Sequence, residues 1–254
     1  MTNTAVKDVN VIAILDMSGS MSGLEDDTRG GFNTFVREAQ ADQAAEGGQV
    51  TLSLTCFDTE FIQVYRTTDI QQVTPIGPAE YSPRGNTALL DAIGLTIAPL
   101  SFPAHEKVLV YIVTDGFENS SREWTSDRVR ALIEEKETQG WEFLFIGAEV
   151  DAWDASVAFS TPAMTRGSIS AKKDRMAMRS ASTKATWAAH QALRGGGTVA
   201  DAVDALYASD DDDLIDRSKP RREDPASTNA TDATPTRSAG KPKPRKTFRE
   251  WRHS

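Results

Sequence analysis

The stretch Val9-Asn10-Val11-Ile12-Ala13-Ile14-Leu15-Asp16-Met17-Ser18-Gly19-Ser20 decides the fold. Its first seven residues form a short, β-branched, apolar run, the pattern of a strand buried on both faces. The run stops at the carboxylate of Asp16, and hydroxyls follow at positions 18 and 20. A second run, Val108 to Val113 (VLVYIV), is the most apolar in the chain and stops at Thr114-Asp115-Gly116. It reads as a central parallel strand. Two buried strands that each end on an acidic residue place that chemistry at the carboxyl edge of a sheet, where open α/β sheets bind ligands.

The rest of the first 209 residues alternates strand and helix patterns. Phe32, Phe35, Val36 and Ala39 share one helix face, and Gly47-Gly48 stop that helix. Val50, Leu52, Leu54 and Cys56 alternate with Thr51, Ser53 and Thr55, and Phe61 to Tyr65 follows after a three-residue turn. Strands this close in the chain pair antiparallel. A polar loop rich in Pro and Gly spans Thr67 to Asn86. Thr87 opens a helix carrying Leu89, Ala92, Ile93, Thr96 and Ile97, and Pro99 ends it.

Thr125 or Ser126 caps the next helix, which buries Val129, Leu132 and Ile133 and closes at Gly140. Glu142 to Ile146 is a strand, Asp151 to Phe159 a short helix and Met164 to Ile169 an edge strand. Asp174 to Leu193 is the final helix, stopped by Gly195-Gly196-Gly197. The pattern predicts a Rossmann-like three-layer α/β sandwich. Its six-stranded sheet is mostly parallel, with one antiparallel edge hairpin and helices on both faces.

Composition narrows the function. The chain has 254 residues, 28 basic and 37 acidic, for a net charge of −9. Residues 210–254 hold 11 basic and 9 acidic residues, which leaves a net of −11 in the first 209. An acidic body is a poor general binder of nucleic acid, because phosphate contacts need cations. The division expected is a folded domain over 1–207 and a disordered charged tail over 208–254, acidic first and basic at its end. The basic end, with Lys241-Pro242-Lys243-Pro244-Arg245-Lys246, is the one stretch suited to nucleic acid or an acidic partner.

No apolar run reaches the roughly 20 residues of a membrane-spanning helix, and residues 1–7 lack a secretory core. The lone Cys56 excludes an internal disulfide and a cysteine zinc cluster. His105, His190 and His253 are scattered. A cytoplasmic, reducing compartment is expected. Cys56 reads as a small buried strand residue, and Trp124, Trp141, Trp153 and Trp187 as packing residues. Asn86 and Glu118 are explained as well by loop polarity as by function. Asp210 to Asp213 lacks the glycine and closing glutamate of a calcium loop.

In an extended turn, Asp16, Ser18 and Ser20 point the same way, and Gly19 lets the chain turn tightly between the serines. Carboxylate and hydroxyl oxygens converging there make a hard-oxygen site suited to Mg²⁺ or Mn²⁺ rather than zinc. Thr87 is placed to add a third hydroxyl.

Asp16-x-Ser18-x-Ser20, then Thr87 in Gly85-Asn86-Thr87-Ala88-Leu89, then Thr114-Asp115-Gly116 resembles the metal-ion-dependent adhesion site (MIDAS) of von Willebrand factor A (vWA) domains. The resemblance spans Val9 to Leu206, apart from a divergent stretch after Phe159. Asp115 to Arg122 and Trp141 to Gly147 are similar to the bacterial and bacteriophage branch. The resemblance implies a metal held by the hydroxyls of Ser18, Ser20 and Thr87, with Asp16 and Asp115 acting directly or through water. One coordination position would stay open for a partner's Asp or Glu carboxylate, and metal and ligand would couple to a shift of the last helix. Related domains serve beside AAA+ ATPases, in surface adhesion and in bacteriophage proteins, so an AAA+ ATPase is one partner it admits.

One divalent cation with only two carboxylates nearby is roughly neutralised, so a third, foreign carboxylate is attracted; this favours partner capture over catalysis. Two other readings compete. One makes Asp16 the nucleophile of a Mg²⁺-dependent phosphohydrolase similar to the haloacid-dehalogenase family. That chemistry needs a second Asp two residues on as acid and base, and Ser18 stands there. The other is an adaptor reaching nucleic acid through the basic tail. No phosphate-binding glycine loop follows any strand.

Overall fold

The computed structural model describes residues 8–147, 167–170 and 175–209. The helix expected over 151–159, Trp153 and the tail beyond 209 lie outside the described residues. The elements run β1 (Val9–Asp16), α1 (Glu25–Glu46), β2 (Val50–Phe57), β3 (Phe61–Asp69), α2 (Leu89–Ile97), β4 (Lys107–Thr114), α3 (Ser126–Thr138), β5 (Trp141–Gly147), β6 (Ser168–Ser170), α4 (Arg175–Arg194) and α5 (Val199–Ala208). Six strands form one sheet in the order β3-β2-β1-β4-β5-β6. Among the described residues, only β2 and β3 pair antiparallel. The expected sandwich and its edge hairpin are therefore present.

Side-chain alternation in β1 feeds two cores. Val11, Ala13 and Leu15 pack with Phe32, Phe35, Val36 and Ala39 of α1 and with Ala185, Ala189 and Leu193 of α4. Ile12 and Ile14 pack on the other face with Leu89, Ala92, Ile93 and Ile97 of α2 and with Val129 and Ile133 of α3. Both faces are covered, so β1 and β4 carry near-continuous apolar runs instead of a polar alternation. Among the described residues, no helix is long and apolar enough to cross a membrane.

Three details differ from expectation. Strand β3 continues past Tyr65 to Asp69. Its pairing with β2 shifts register near Leu54, and Thr67 adopts a positive φ of 44°. A bulge of this kind breaks the alternation that marks a strand.

The segment after β3 is more than a polar loop. Ile70, Val73, Ile76 and Tyr81 are buried in the α1-side core. Its backbone is held by α1 side chains: Asn33 bonds both the N–H and the C=O of Ile76, and Gln40 Nε2 donates to the carbonyls of Ile70 and Val73. Helix α5 was not expected at all. It begins at a capping box of Thr198 and Asp201, and Glu142 of β5 accepts from the Val199 N–H.

Helices α1 and α4 meet at a buried polar cluster. Arg194 Nε lies 2.7 Å and His190 Nε2 3.6 Å from Asp42 Oδ2, and Gln191 Nε2 donates to Asp42 Oδ1. His190 packs edge-on against Phe35. His105 is exposed, and Cys56 is fully buried as expected.

Candidate metal site

The site forms where the sheet changes direction. Strands β1 and β4 are neighbours; α1 leaves β1 on one face, and α2 and α3 flank β4 on the other. Asp16 is the last residue of β1 and is fully buried. Its Oδ1 accepts from the Ser18 N–H at 2.7 Å and its Oδ2 from the Thr114 hydroxyl at 2.6 Å. The Tyr81 hydroxyl donates to the Asp16 carbonyl. The carboxylate is thus clamped on both oxygens before any ligand is considered.

The other expected residues surround it. The Ser18 and Ser20 hydroxyls are 3.1 Å apart, and Ser20 Oγ donates to Asp115 Oδ1 at 2.7 Å. Gly116 shows where the oxygens converge. A Cβ at this glycine would meet Thr87 Oγ1 at 2.8 Å, Ser20 Oγ at 3.2 Å and Asp16 Oδ2 at 3.4 Å. Residues from three separate parts of the chain therefore line one small cradle that a methyl group would fill. The structure brings Asp16, Ser18, Ser20, Thr87 and Asp115 together.

Backbone contacts build the cradle. Gly19 N–H donates to the Gly85 carbonyl and Arg84 N–H to the Met17 carbonyl, so the loop before Thr87 is laid on the exit from β1. Gly19 does not act as the tight-turn glycine that was expected, because its φ is not positive. It is small for another reason: a Cβ there would lie 3.3 Å from the Gly85 oxygen. The left-handed residue is Gly85, at φ 66°, where a Cβ would come within 2.8 Å of Thr59 Oγ1.

Thr87 does not itself begin a helix. Helix α2 starts two residues later and its N-cap, Ala88, offers no side-chain cap.

Electrostatics single out Asp16. Burial pushes its carboxyl up to about 6, and the nearby Asp115 pushes in the same direction. Hydrogen bonds from Thr114 and Ser18 oppose this only in part. Among the described residues, no three or more His, Cys, Asp or Glu side chains converge as a metal cluster. This site contributes two carboxylates and three hydroxyls, an all-oxygen set of low formal charge.

Sequence reasoning missed three participants, Thr114, Tyr81 and Asn119, and left a fourth, Glu118, open between loop polarity and function. Thr114 was seen only as a neighbour of Asp115, although its hydroxyl orients Asp16. Tyr81 sat in a stretch read as polar loop. Glu118 and Asn119 belong to the loop that follows Asp115 and bond the segment around Thr87. Their only signal was a run of polar residues.

The fold is a Rossmann-like α/β sandwich built on a six-stranded, mostly parallel sheet with one antiparallel pair. Among solved structures, the chain is similar to a D319A mutant of the PilB minor pilin from Streptococcus sanguinis. That match has a TM-score of 0.54 at 12% identity and covers 77% of this chain and 64% of the pilin. It is also similar to proximal thread matrix protein 1 from the mussel byssus with a zinc-occupied MIDAS motif (TM-score 0.49, 13% identity, 70% of this chain and 46% of that one). A third is a von Willebrand factor type A protein from Catenulispora acidiphila (TM-score 0.42, 15% identity, 71% and 43%). The chain spans less than two-thirds of the length of each. No family model and no curated protein matches it.

Proposed function

We propose that this protein is a divalent-metal-dependent protein-binding module that captures an Asp or Glu carboxylate of its partner. The observation that carries this reading is the cradle at Gly116, where Thr87 Oγ1, Ser20 Oγ and Asp16 Oδ2 all lie within 3.4 Å of one point. Hydroxyl and carboxylate oxygens are hard donors, and they suit Mg²⁺ or Mn²⁺. The raised Asp16 carboxyl fits too, since a buried carboxylate beside a second one gains from a cation.

In this reading the hydroxyls of Ser18, Ser20 and Thr87 would hold the ion, with Asp16 and Asp115 serving it directly or through water. The ion supplies a positive anchor that two carboxylates leave open to a third. Thr114 and the Ser18 N–H keep Asp16 oriented, and Ser20 keeps Asp115 oriented.

The surroundings favour binding. Phe117, 43% exposed, is the most open large hydrophobic side chain among the described residues, and it lies two positions beyond Asp115. Exposed aromatic surface beside a polar anchor suits a protein partner. Position 18, where a phosphohydrolase needs a proton-transferring carboxyl, carries a hydroxyl engaged with Ser20.

A pull-down from lysate with Mg²⁺, with EDTA and with Asp16→Ala tests the reading. Bands held only by the wild-type protein with metal support it. Bands indifferent to both EDTA and Asp16→Ala would sink it.

A further inference from the structure

The loop after β4 and the start of α2 hold each other through side chains that no ligand set includes. Asn119 Oδ1 accepts from the Thr87 N–H at 3.0 Å, while the N–H groups of Asn119 and Ser120 donate to the Thr87 carbonyl. Both backbone polar groups of Thr87 are thereby bonded to the loop that carries Asp115.

One turn further on, Glu118 caps α2. Its Oε2 accepts from the Leu90 N–H at 2.9 Å and from the Ser121 hydroxyl, and its Oε1 from the N–H groups of Ser120 and Ser121. Ser121 Oγ in turn accepts from the Asp91 N–H. The Glu118 charge sits at the positive end of α2, whose own N-cap residue supplies nothing.

The return contacts come from α2. The Asp91 carboxylate accepts from the N–H groups of Arg122, Glu123 and Trp124. The Trp124 ring lies over Gly94, where a Cβ would come within 2.0 Å of it. The segment from 116 to 124 is fastened to α2 at both ends.

These contacts fix one distance that matters. The Thr87 hydroxyl comes from the segment before α2, and the Asp115 carboxylate comes from the end of β4. Nothing in strand pairing relates the two, because α2 is not part of the sheet. The stitching through Asn119 and Glu118 relates them directly, beside the backbone bonds that lay the segment before Thr87 on the exit from β1.

We propose that Asn119 and Glu118 are positioning residues of the metal site, which lock the loop after β4 to the N-terminus of α2 and so set the Thr87 hydroxyl against Asp115. This rests on the metal-binding reading above. Side chains of this type, which orient ligands without touching the ion, typically cost 10- to 100-fold in metal affinity when removed.

The test uses Mn²⁺ alone, titrated into the full chain and read by electron paramagnetic resonance, with the thermal midpoint of each metal-free variant recorded. Asn119→Ala removes the acceptor for Thr87 and is expected to weaken Mn²⁺ binding about 10-fold or more. Asn119→Asp keeps an acceptor and is expected to return to within about threefold of wild type. Glu118→Ala and Glu118→Gln form a second pair with the same expected order.

A merely structural role would lower the metal-free midpoint without this loss and rescue of affinity. Wild-type binding with Asn119→Ala and Glu118→Ala unchanged would overturn the positioning role alone. Wild-type protein that binds no Mn²⁺ would overturn the metal reading and this inference with it.

Discussion

The Thr114 hydroxyl donates to Asp16 Oδ2 at 2.6 Å across the ends of two neighbouring parallel strands. One strand thus aims the carboxylate of the other. Asp16 Oδ1 is aimed separately, by the Ser18 N–H. The carboxylate is oriented before a ligand arrives, and little ordering remains to be done on binding.

Divalent metal is expected to stabilise the fold. An ion present at about 100 times its dissociation constant adds about 2.7 kcal/mol, which for a chain of this size raises the thermal midpoint by roughly 5–10 °C. Asp16→Ala should abolish the gain while leaving a cooperative transition. Differential scanning fluorimetry with Mg²⁺, Mn²⁺ and EDTA measures both. Equal midpoints for wild type in metal and in EDTA would contradict the assignment.

The raised Asp16 carboxyl predicts two opposite pH trends. Metal competes with the proton, so affinity should fall about tenfold per unit as pH drops below about 6. Without metal the sign reverses. The folded pKa lies above the ordinary 3.8, so the favourable contribution is complete below 3.8 and is lost as pH rises through 6. Asp16→Asn removes that loss. Its metal-free form should resist urea better than wild type at pH 7.5, by at most about 3 kcal/mol, with the difference closing toward pH 4. A constant difference across this range would show that Asp16 titrates normally.

Gly116→Ala should separate metal binding from folding. Gly116 does not have a positive φ, so its backbone accepts alanine. The new methyl would sit 2.8 Å from Thr87 Oγ1 and displace that hydroxyl from the cradle. Mn²⁺ affinity is expected to drop at least about tenfold, with the metal-free midpoint moving by a few degrees at most. Calorimetric titration beside a melting curve reads both quantities.

Gly94→Ala makes the opposite case. Its Cβ would fall inside the Trp124 ring, 2.0 Å from the nearest carbon. The clash lies in packed structure, where overpacking costs about 1–3 kcal/mol. The metal-free protein should therefore lose stability outright, seen as a lower urea midpoint. An unchanged midpoint would mean that Trp124 swings away freely.

Most of the sheet was legible in the chain, and so was the grouping of Asp16, Ser18, Ser20, Thr87 and Asp115 at one end of it. Strands β1 and β4 announce themselves because both faces are buried, and Asp16 and Asp115 stand where those runs stop. What escaped notice was set by contacts distant in sequence. Strand β3 hid its last residues behind a bulge at Thr67. Tyr81 and Ile76 looked like loop residues because Asn33, 43 positions before Ile76, supplies the hydrogen bonds that a regular element would have supplied. Asn119 reads as surface polarity until the fold sets it beside Thr87. Helix α5 is short, and its docking depends on Glu142 of β5.

The junction of α1 and α4 should be acid-sensitive. Burial holds His190 well below its ordinary value, with Arg194 pushing the same way and Asp42 opposing. A base depressed in the folded state adds stability that is present above its unfolded value near 6.5 and is lost as pH falls. His190→Leu keeps the apolar contact with Phe35 and removes the titration. Its urea midpoint should therefore fall less than that of wild type between pH 7 and pH 5. Parallel curves for the two proteins would exclude the effect.

In the proposed reading, a partner anchored at Asp16 and Asp115 would also decide how load enters the molecule. Both lie at the ends of inner strands, and β1 and β4 each have a hydrogen-bonded neighbour on either side. A tug on whatever is seated there runs along the strand axes, across rows of bonds that lie at an angle to the pull. Those rows resist in shear and must give way together, whereas a tether fastened to an outer strand would open like a zip, one bond at a time. If a partner is held there, the same placement that gathers the oxygens would make this end of the sheet a grip suited to tension.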